Sequence, residues 1–141
     1  MIILDTNVVS EMMRDESNAN VVAWFDRHVG ADLYLTAMTV AEIRYGIALL
    51  PHGRRRQTMA RLFAVIRQRL NPQVLPFDAA AAEHYGQIRA GRAAAGRPLG
   101  SQDAVIASIA AAQQFAVATR NVKDFEGTGI EVIDPWAAAA T

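Results

Sequence analysis

The sequence has no cysteine and a single lysine among its 141 residues. Without cysteine the chain cannot form disulfides, thiolate zinc sites or a cysteine nucleophile. It also lacks the glycine-rich strings G-x-G-x-x-G and G-x-x-x-x-G-K that cradle nucleotide phosphates. Its three histidines, His28, His52 and His84, have no short metal-ligand spacing. Any chemistry must therefore rest on carboxylates and hydroxyls.

Long hydrophobic runs are missing as well. No stretch approaches the roughly 18 consecutive apolar residues of a bilayer span, and no secretory signal pattern is present. We therefore expect a soluble cytoplasmic protein that makes no membrane contact. The composition is 52% hydrophobic and 20% charged, which indicates one globular domain over residues 1–141. We expect the alanine-rich tail, residues 137–141, to be frayed.

Charge is distributed unevenly along the chain, although it sums to zero. Residues 1–43 carry seven acids and two bases, residues 44–97 two acids and ten bases, and residues 98–141 five acids and two bases. Six arginines lie between Arg54 and Arg69. This basic segment is either an ordinary solvated helix face or a surface for phosphates or an acidic partner.

Hydrophobic periodicity predicts short strands that alternate with helices. The predicted strands are 1–4, 33–37, 74–77, 116–119 and 130–133. The predicted helices are 8–13, one from Asn18 or Asn20 to 28, one opened by a Thr39 and Glu42 capping box, 54–70, one capped by Asp78 and reaching 95, and one opening at Ser101. This alternation predicts an α/β fold with three layers, α/β/α, and a mostly parallel central sheet.

Acidic and amide side chains follow the predicted strands. Asp5 comes directly after the first strand, and Glu42 follows the second. Asp103 opens a helix, and Asn121 and Asp124 follow the strand that ends at 119. Because ligands of open α/β sheets bind at the carboxyl ends of the strands, we expect most of these side chains to share one edge.

Each acid also has a purely structural explanation, since acids cap helices and complement their dipoles. Asp103 fits that explanation least, because helical spacing places it on the face of Ile106 and Ala110, which suits packing more than solvent. Converging carboxylates raise one another's pKa unless a cation lies among them. Oxygen ligands without histidine or cysteine favour Mg²⁺ or Mn²⁺ as that cation.

Four ordered segments resemble the PIN-domain family. They are residues 2–7 (IILDTN), 35–46 (LTAMTVAEIRYG), 102–107 (QDAVIA) and 118–125 (ATRNVKDF). The closing segment 132–136 (VIDPW) and the overall spacing are similar to the VapC and FitB-like toxins of bacterial toxin–antitoxin pairs. The resemblance spans nearly the whole chain.

This resemblance implies a Mg²⁺- or Mn²⁺-dependent endoribonuclease with Asp5, Glu42 and Asp103 as catalytic and metal-binding acids. The fourth family position is often aspartate and is Asn121 here, an oxygen donor without charge. That departure argues against a tightly held second metal, although Asp124 is placed to compensate through a water. The implied polar neighbours of the site are Thr6, Asn7 and Thr119.

The resemblance also implies partners. They are an RNA substrate, a second copy of the chain in a homodimer, and an antitoxin that occupies the active-site groove. DNA would be contacted only indirectly, through the antitoxin. The basic segment from Arg54 to Arg69 would then contact the RNA backbone, the antitoxin or the other protomer.

Three hypotheses about function follow. The first is a nuclease in which a metal-activated water attacks phosphorus in line and leaves a 5′-phosphate and a 3′-hydroxyl. The second is a phospho-receiver with Asp78 as acceptor, which lacks a paired acid beside Asp5. The third, motivated by Asn121, is a catalytically weak binding module that forms a repressor complex with an antitoxin. We rank the nuclease first.

Overall fold

The structure is a computed structural model that describes residues 1–30 and 32–137. Its elements are β1 (Ile2–Leu4), α1 (Thr6–Met12), α2 (Ala19–His28), β2 (Leu33–Thr36), α3 (Ala37–Ala48), α4 (Arg54–Gln68), β3 (Val74–Leu75), α5 (Ala79–Ala94), α6 (Ser101–Gln113), β4 (Ala116–Ala118), a 3-10 helix (Val122–Phe125) and β5 (Val132–Ile133). Except for Ala137, the predicted frayed tail lies outside the described residues. No helix in these ranges is long and apolar enough to cross a membrane.

The five strands form one parallel sheet in the order β3-β2-β1-β4-β5. Ile3 of β1 lies opposite Tyr34 of β2 on one side and Val117 of β4 on the other. The chain therefore builds the sheet outward from β1 in one direction and then returns to add β4 and β5. The gap between β1 and β4 is the switch point at which α/β proteins bind their ligands.

Alternate residues of the central strands face opposite sides of the sheet. Ile3 and Val117 belong to one buried apolar cluster, together with residues of α5 and α6. Leu4 and Ala118 belong to a second cluster, together with residues of α1, α2, α3 and α4. Helices thus cover both faces, and the predicted three-layer α/β/α architecture is confirmed.

The predicted capping box at the start of α3 is wrong. The helix begins at Ala37, and its N-cap is Thr36, whose Oγ1 accepts a hydrogen bond from the Thr39 backbone N–H at 3.1 Å. Strand β2 runs straight into the helix, so the extended residue at the junction is already the cap. Glu42 consequently lies in the second turn, where its carboxylate is free for a tertiary contact.

Other boundaries shift by a few residues. Helix α1 begins at Thr6 rather than at residue 8, because Asp5 caps it. Of the two asparagines predicted to cap α2, Asn18 is the cap. Strand β3 stops before Pro76, which has no N–H to extend a ladder. The predicted last strand is reduced to Val132–Ile133.

Arg92 fastens the segment after β4 to α5. Its side chain is buried, at 6% exposure, and its guanidinium donates to the backbone carbonyls of Lys123 and Glu126. Arg97 also donates to the Lys123 carbonyl, at 3.1 Å, and pairs with the Glu126 carboxylate at 2.9 Å. These contacts hold the 3-10 helix that carries Asp124.

Replacing Arg92 with methionine keeps most of the side-chain volume but leaves the Glu126 carbonyl without its side-chain donor, and the Lys123 carbonyl keeps only the donor of Arg97. We expect Arg92→Met to lower the free energy of unfolding by about 1–3 kcal/mol, the usual cost of unpaired buried groups. Chemical denaturation measures this loss. Arg89→Met removes an exposed arginine from the same helix and serves as the control. Equal stability of the two variants would contradict the proposed tether.

Candidate active site

Asp5 lies at the carboxyl end of β1 and is 4% exposed. Its Oδ1 accepts a hydrogen bond from the Thr6 backbone N–H at 2.8 Å. Its Oδ2 accepts from Thr119 Oγ1 at 2.7 Å and from Asn7 Nδ2 at 3.3 Å. The capping explanation and the site explanation of Asp5 are therefore both correct, because one oxygen caps α1 and the other faces β4.

Glu42 is joined to the same corner through Thr6. The Thr6 hydroxyl donates to Glu42 Oε1 at 2.7 Å and lies 3.2 Å from the Thr39 hydroxyl. The first residue of α1 thereby fixes a carboxylate of α3 beside Asp5. In the predicted capping box, the Glu42 carboxylate would instead have accepted a hydrogen bond from the Thr39 backbone N–H.

Asn7 links α1 to the loop after β4. Its Nδ2 donates to Thr119 Oγ1 at 3.2 Å, and its Oδ1 accepts from the Arg120 backbone N–H at 3.2 Å. Thr119 Oγ1 also accepts from the Asn121 backbone N–H at 3.0 Å. The neighbours predicted for the site, Thr6, Asn7 and Thr119, thus form one network around Asp5.

A cavity of about 510 Å³ opens over this network. It is lined by Asp5, Thr6, Asn7, Ser10, Glu11, Arg14, Glu42, Asp103, Arg120, Asn121 and Trp136. The structure therefore brings together Asp5, Glu42, Asp103 and Asn121, as the sequence predicts. Asp124 is not one of these lining residues, but its charge acts on Asp5 and Asp103.

The carboxylates of the cavity repel one another. Burial and the charges of Asp5, Asp124 and Glu42 raise the pKa of Asp103 to about 6. Burial also raises the pKa of Asp5; hydrogen bonds from Thr119 and Thr6 oppose this rise, and the charges of Glu42 and Asp124 add to it. A cation beside these two aspartates would favour their charged forms and lower both pKa values.

The described chain supplies no such cation to the four acids. Across residues 1–30 and 32–137, no side-chain nitrogen of arginine, lysine or histidine lies within 4.0 Å of the carboxylate oxygens of Asp5, Glu42, Asp103 or Asp124. In the same ranges, no three acidic or histidine side chains converge closely enough to enclose an ion. An oxygen-only set of this kind fits a hydrated ion held by one or two carboxylates and waters, which is the usual state of Mg²⁺.

Glu11 is a member of the cavity that the sequence analysis did not identify. It is 4% exposed, and its carboxylate accepts from Arg14 Nη1 at 3.1 and 3.2 Å and from the Asn18 N–H at 3.0 Å. Burial raises the pKa of Glu11, but these hydrogen bonds and the charges of Arg14 and Arg120 outweigh burial and hold it below its usual value. The available signal was its spacing of three residues from Val8, on the inner face of α1.

A second, mostly apolar groove of about 280 Å³ adjoins the cavity. The two share Thr6, Ser10, Arg14 and Glu42, and the groove continues along Ile43, Ile47 and Met59 to Arg55. One arginine of the basic segment therefore borders this groove. At the other end of the segment, Arg69 pairs with Asp26 at 3.0 Å.

Asp78 caps a helix and does not belong to the cavity. Its Oδ1 accepts from the Ala81 N–H at 3.0 Å at the start of α5, so the predicted cap is confirmed. Asp78 does not line the cavity. The phospho-receiver hypothesis requires Asp78 to lie with the acids that line the cavity, and the structure does not place it there.

Comparisons with known proteins agree with this geometry. The PIN domain family matches residues 2–130. The chain is 42% identical over 140 residues to the VapC ribonuclease Y4jK of Sinorhizobium fredii, covering 99% of this chain and 100% of the relative. It is 40% identical over 137 residues to the toxin FitB of Neisseria gonorrhoeae, covering 96% of this chain and 99% of the relative.

A solved structure shows the same fold. The structure of FitAB bound to the IR36 DNA fragment matches with a TM-score of 0.85 and 38% identity, covering 99% of both chains. The predicted resemblance to PIN domains and to VapC and FitB toxins is thereby confirmed.

The raised pKa of Asp103 predicts a pH-dependent penalty in metal-free protein. Between pH 3.8 and about 6 the folded chain binds this proton more tightly than the unfolded chain does, so the free energy of unfolding falls as pH rises through this window. Above it the penalty is complete. Asp103→Asn should therefore stabilise the protein in EDTA by about 1 kcal/mol near neutral pH, a value reduced for solvent screening.

This gain should fade as pH falls from about 6 towards 3.8. Denaturant titrations at several pH values measure it. Asp15→Asn removes an exposed acid outside the cavity and is the control. A gain that does not depend on pH would rule out the raised pKa of Asp103 as its source.

Proposed function

We propose that this chain, which belongs to the PIN-domain family, is a metal-dependent ribonuclease that acts as the toxin of a toxin–antitoxin pair, in one domain over residues 1–141. PIN-domain ribonucleases are metal-dependent in general. The observation that carries the proposal is the cavity at the switch point: Asp5, Glu42 and Asp103 line it, the charge of Asp124 acts on Asp5 and Asp103, and none of these four carboxylates has an ion-pair partner in the described chain.

We propose Mg²⁺, with Mn²⁺ as a substitute, as the ion of this site. Asp5 and Asp103 would hold it, and Glu42 and Asp124 would act on it through waters. The chemistry that such an ion supplies is Lewis-acid stabilisation of the phosphoryl charge and a lowered pKa for the attacking water. Carboxylate ligands and retained waters suit Mg²⁺ at phosphate chemistry.

The chain's own polar residues position these acids. Thr119 and the Thr6 N–H hold the two oxygens of Asp5, and the Thr6 hydroxyl holds Glu42. Asn7 fixes the loop that presents Asn121 to the cavity. Rigid hydrogen bonds of this kind keep the carboxylates in place when an ion and an RNA phosphate arrive.

The partners follow from the relatives. FitB is named a toxin, and FitAB has been solved on DNA. We propose that an antitoxin binds this chain, blocks the cavity through the adjoining apolar groove, and makes the DNA contacts of the complex. A homodimer and a cytoplasmic location stay predictions from the sequence.

A weaker alternative rests on Asn121. Where the family often has aspartate, this cavity has an uncharged amide. A chain of this kind that failed to hold a metal would be a catalytically weak binding module that forms a repressor complex with its antitoxin.

Asp5→Asn should abolish metal-dependent cleavage of RNA. The amide lacks the charge that holds the ion, and its nitrogen cannot accept the hydrogen bonds that Asp5 receives. We expect a loss of at least about a hundredfold in rate, the scale of removing one electrostatic group from a preorganised site. The measurement is cleavage of total cellular RNA by antitoxin-free protein in Mg²⁺ or Mn²⁺, against EDTA.

Asp78→Asn is the matched control, because it makes the same change after another strand, outside the cavity, and asparagine still caps a helix. It should cleave like wild type. Full activity of Asp5→Asn would overturn the proposed nuclease. No cleavage by folded wild type that binds Mn²⁺ would favour the binding module.

Asn121→Asp should tighten the binding of Mn²⁺. A further carboxylate in the cavity adds attraction for the ion and repulsion among the acids. We expect about a tenfold lower dissociation constant, which corresponds to about 1.4 kcal/mol, and a lower stability in EDTA. Isothermal titration calorimetry measures the first and denaturation the second. Unchanged affinity would place Asn121 outside the reach of the ion.

A further inference from the structure

The cavity carries cations as well as acids. Arg14 and Arg120 line the same space as Asp5 and Asp103. Neither guanidinium forms an ion pair with the four carboxylates proposed to hold the ion. We call these two arginines the cationic rim of the cavity and the acids Asp5, Glu42 and Asp103 its acidic floor. The proposed metal site does not involve the rim.

Glu11 organises this rim. It is a buried acid that has no role in the proposed metal site, and both of its oxygens accept from Arg14 Nη1. Its charge also interacts with Arg120. The Glu11 carboxylate contacts Arg14 and the Asn18 N–H, so it holds the Arg14 guanidinium at this side of the cavity, and its negative charge attracts Arg120.

Arg120 is held by its surroundings but keeps its donors free. Its guanidinium lies 5.3 Å from the centre of the Trp136 ring, and its backbone N–H is fixed by Asn7. Within the described residues, its side chain has no hydrogen-bond or ion-pair partner. An arginine stacked in this way presents its planar fork of donors to a ligand with little further loss of conformational freedom.

Arg14 has spare donors too. Its side chain is 63% exposed, and Nη1 makes both contacts with Glu11. A guanidinium has five N–H donors, so the Nη2 and Nε donors stay available. Both arginines line one cavity, and a phosphate accepts such forks of donors through two oxygens.

An RNA strand needs the positive charge of the rim arginines as well as the ion. The proposed scissile phosphate meets an ion on an acidic floor, but the phosphates on either side of it would meet only repulsion there. A polynucleotide places neighbouring phosphates along one backbone, so one strand can touch the floor and the rim at once. Arginine contacts to such phosphates supply much of the affinity for nucleic acid.

We propose that Arg14, positioned by Glu11, and Arg120, positioned by Trp136, form a clamp for a backbone phosphate next to the scissile phosphate of the RNA. This inference rests on the proposed function, since it assigns the neighbouring phosphate of that substrate. Arg14 and Arg120 are binding residues in this scheme, and Glu11 is a positioning residue.

The test is RNA binding in EDTA, which separates the clamp from catalysis. The probe is a short fluorescein-labelled single-stranded RNA of mixed sequence, followed by anisotropy at several salt concentrations. Arg120→Ala should raise the dissociation constant by about tenfold, the effect of losing one charge-assisted contact. It should also reduce the slope of log affinity against log salt by about 0.7, the value for one lost contact to a single strand.

Arg89→Ala is the matched control. Arg89 also lies over an aromatic ring, at 5.7 Å from the centre of Tyr85, but it does not line the cavity. The control removes the same charge and should change neither quantity by a comparable amount. Equal effects of Arg120→Ala and Arg89→Ala would overturn the clamp.

Glu11→Gln tests the positioning role with a change of opposite sign. The variant makes the protein more positive by one charge, so a simple charge effect would tighten RNA binding. Loss of the anchor should weaken binding instead, by about threefold to tenfold, because Arg14 must then be ordered by the ligand. Thermal unfolding confirms that the variant is folded, and tighter binding by folded Glu11→Gln would overturn the positioning role.

Two further arms separate the possible failures. If wild type does not cleave RNA in Mn²⁺ but Arg120→Ala still weakens binding, the proposed nuclease fails and the phosphate site stands. If wild type cleaves and Arg120→Ala binds and cleaves equally well, the clamp fails alone. A poly-glutamate peptide that loses as much affinity as RNA on Arg120→Ala would assign the rim to an acidic protein partner and overturn the RNA assignment.

Discussion

The buried carboxylate of Asp5 holds the cavity together, because each of its oxygens fixes a different element. Oδ1 caps α1 through the Thr6 N–H, and Oδ2 accepts the Thr119 hydroxyl at the end of β4. Strands β1 and β4 are adjacent in the sheet but far apart in sequence. A single side chain at the switch point therefore sets the orientation of α1, and through Thr6 and Asn7 it sets the positions of Glu42 and the loop after β4.

The same arrangement opposes folding. Burial and the charges of neighbouring carboxylates raise the pKa of both Asp103 and Asp5, so the charged forms of these acids cost free energy in the folded protein. The fold tolerates this repulsion because the strands below are almost wholly apolar and buried, with Ile3, Leu4 and Val117 at 0% exposure. Burial of that core provides stability that offsets the cost of the charged cavity.

Sequence reasoning succeeds where topology alone decides position. Asp5 follows a strand that had to be buried, and parallel pairing then brings it to the edge shared with Asp103 and Asn121. It fails where a local pattern competes with a tertiary contact: the spacing of Thr39 and Glu42 matches a capping box, yet the Thr6 hydroxyl takes Glu42. Glu11 was not predicted, because an acid on a short helix is usually exposed to solvent. Its burial depends on tertiary contacts that the sequence does not show. The order of residues does not reveal that Arg120, far along the chain, lies near it.

Helix α1 finally explains why Asp5 and Arg14 line one cavity without forming an ion pair. It begins at the acidic floor, with Asp5 as its cap, and it ends beside the rim, with Glu11 in its last turn and Arg14 just beyond. Two turns of helix span roughly 11 Å, so opposite charges at its two ends stay out of contact range. Glu11 holds Arg14 at the far end, away from the Asp5 cap. The acids proposed to hold the ion and the arginine proposed to bind a phosphate therefore lie at opposite ends of one short helix.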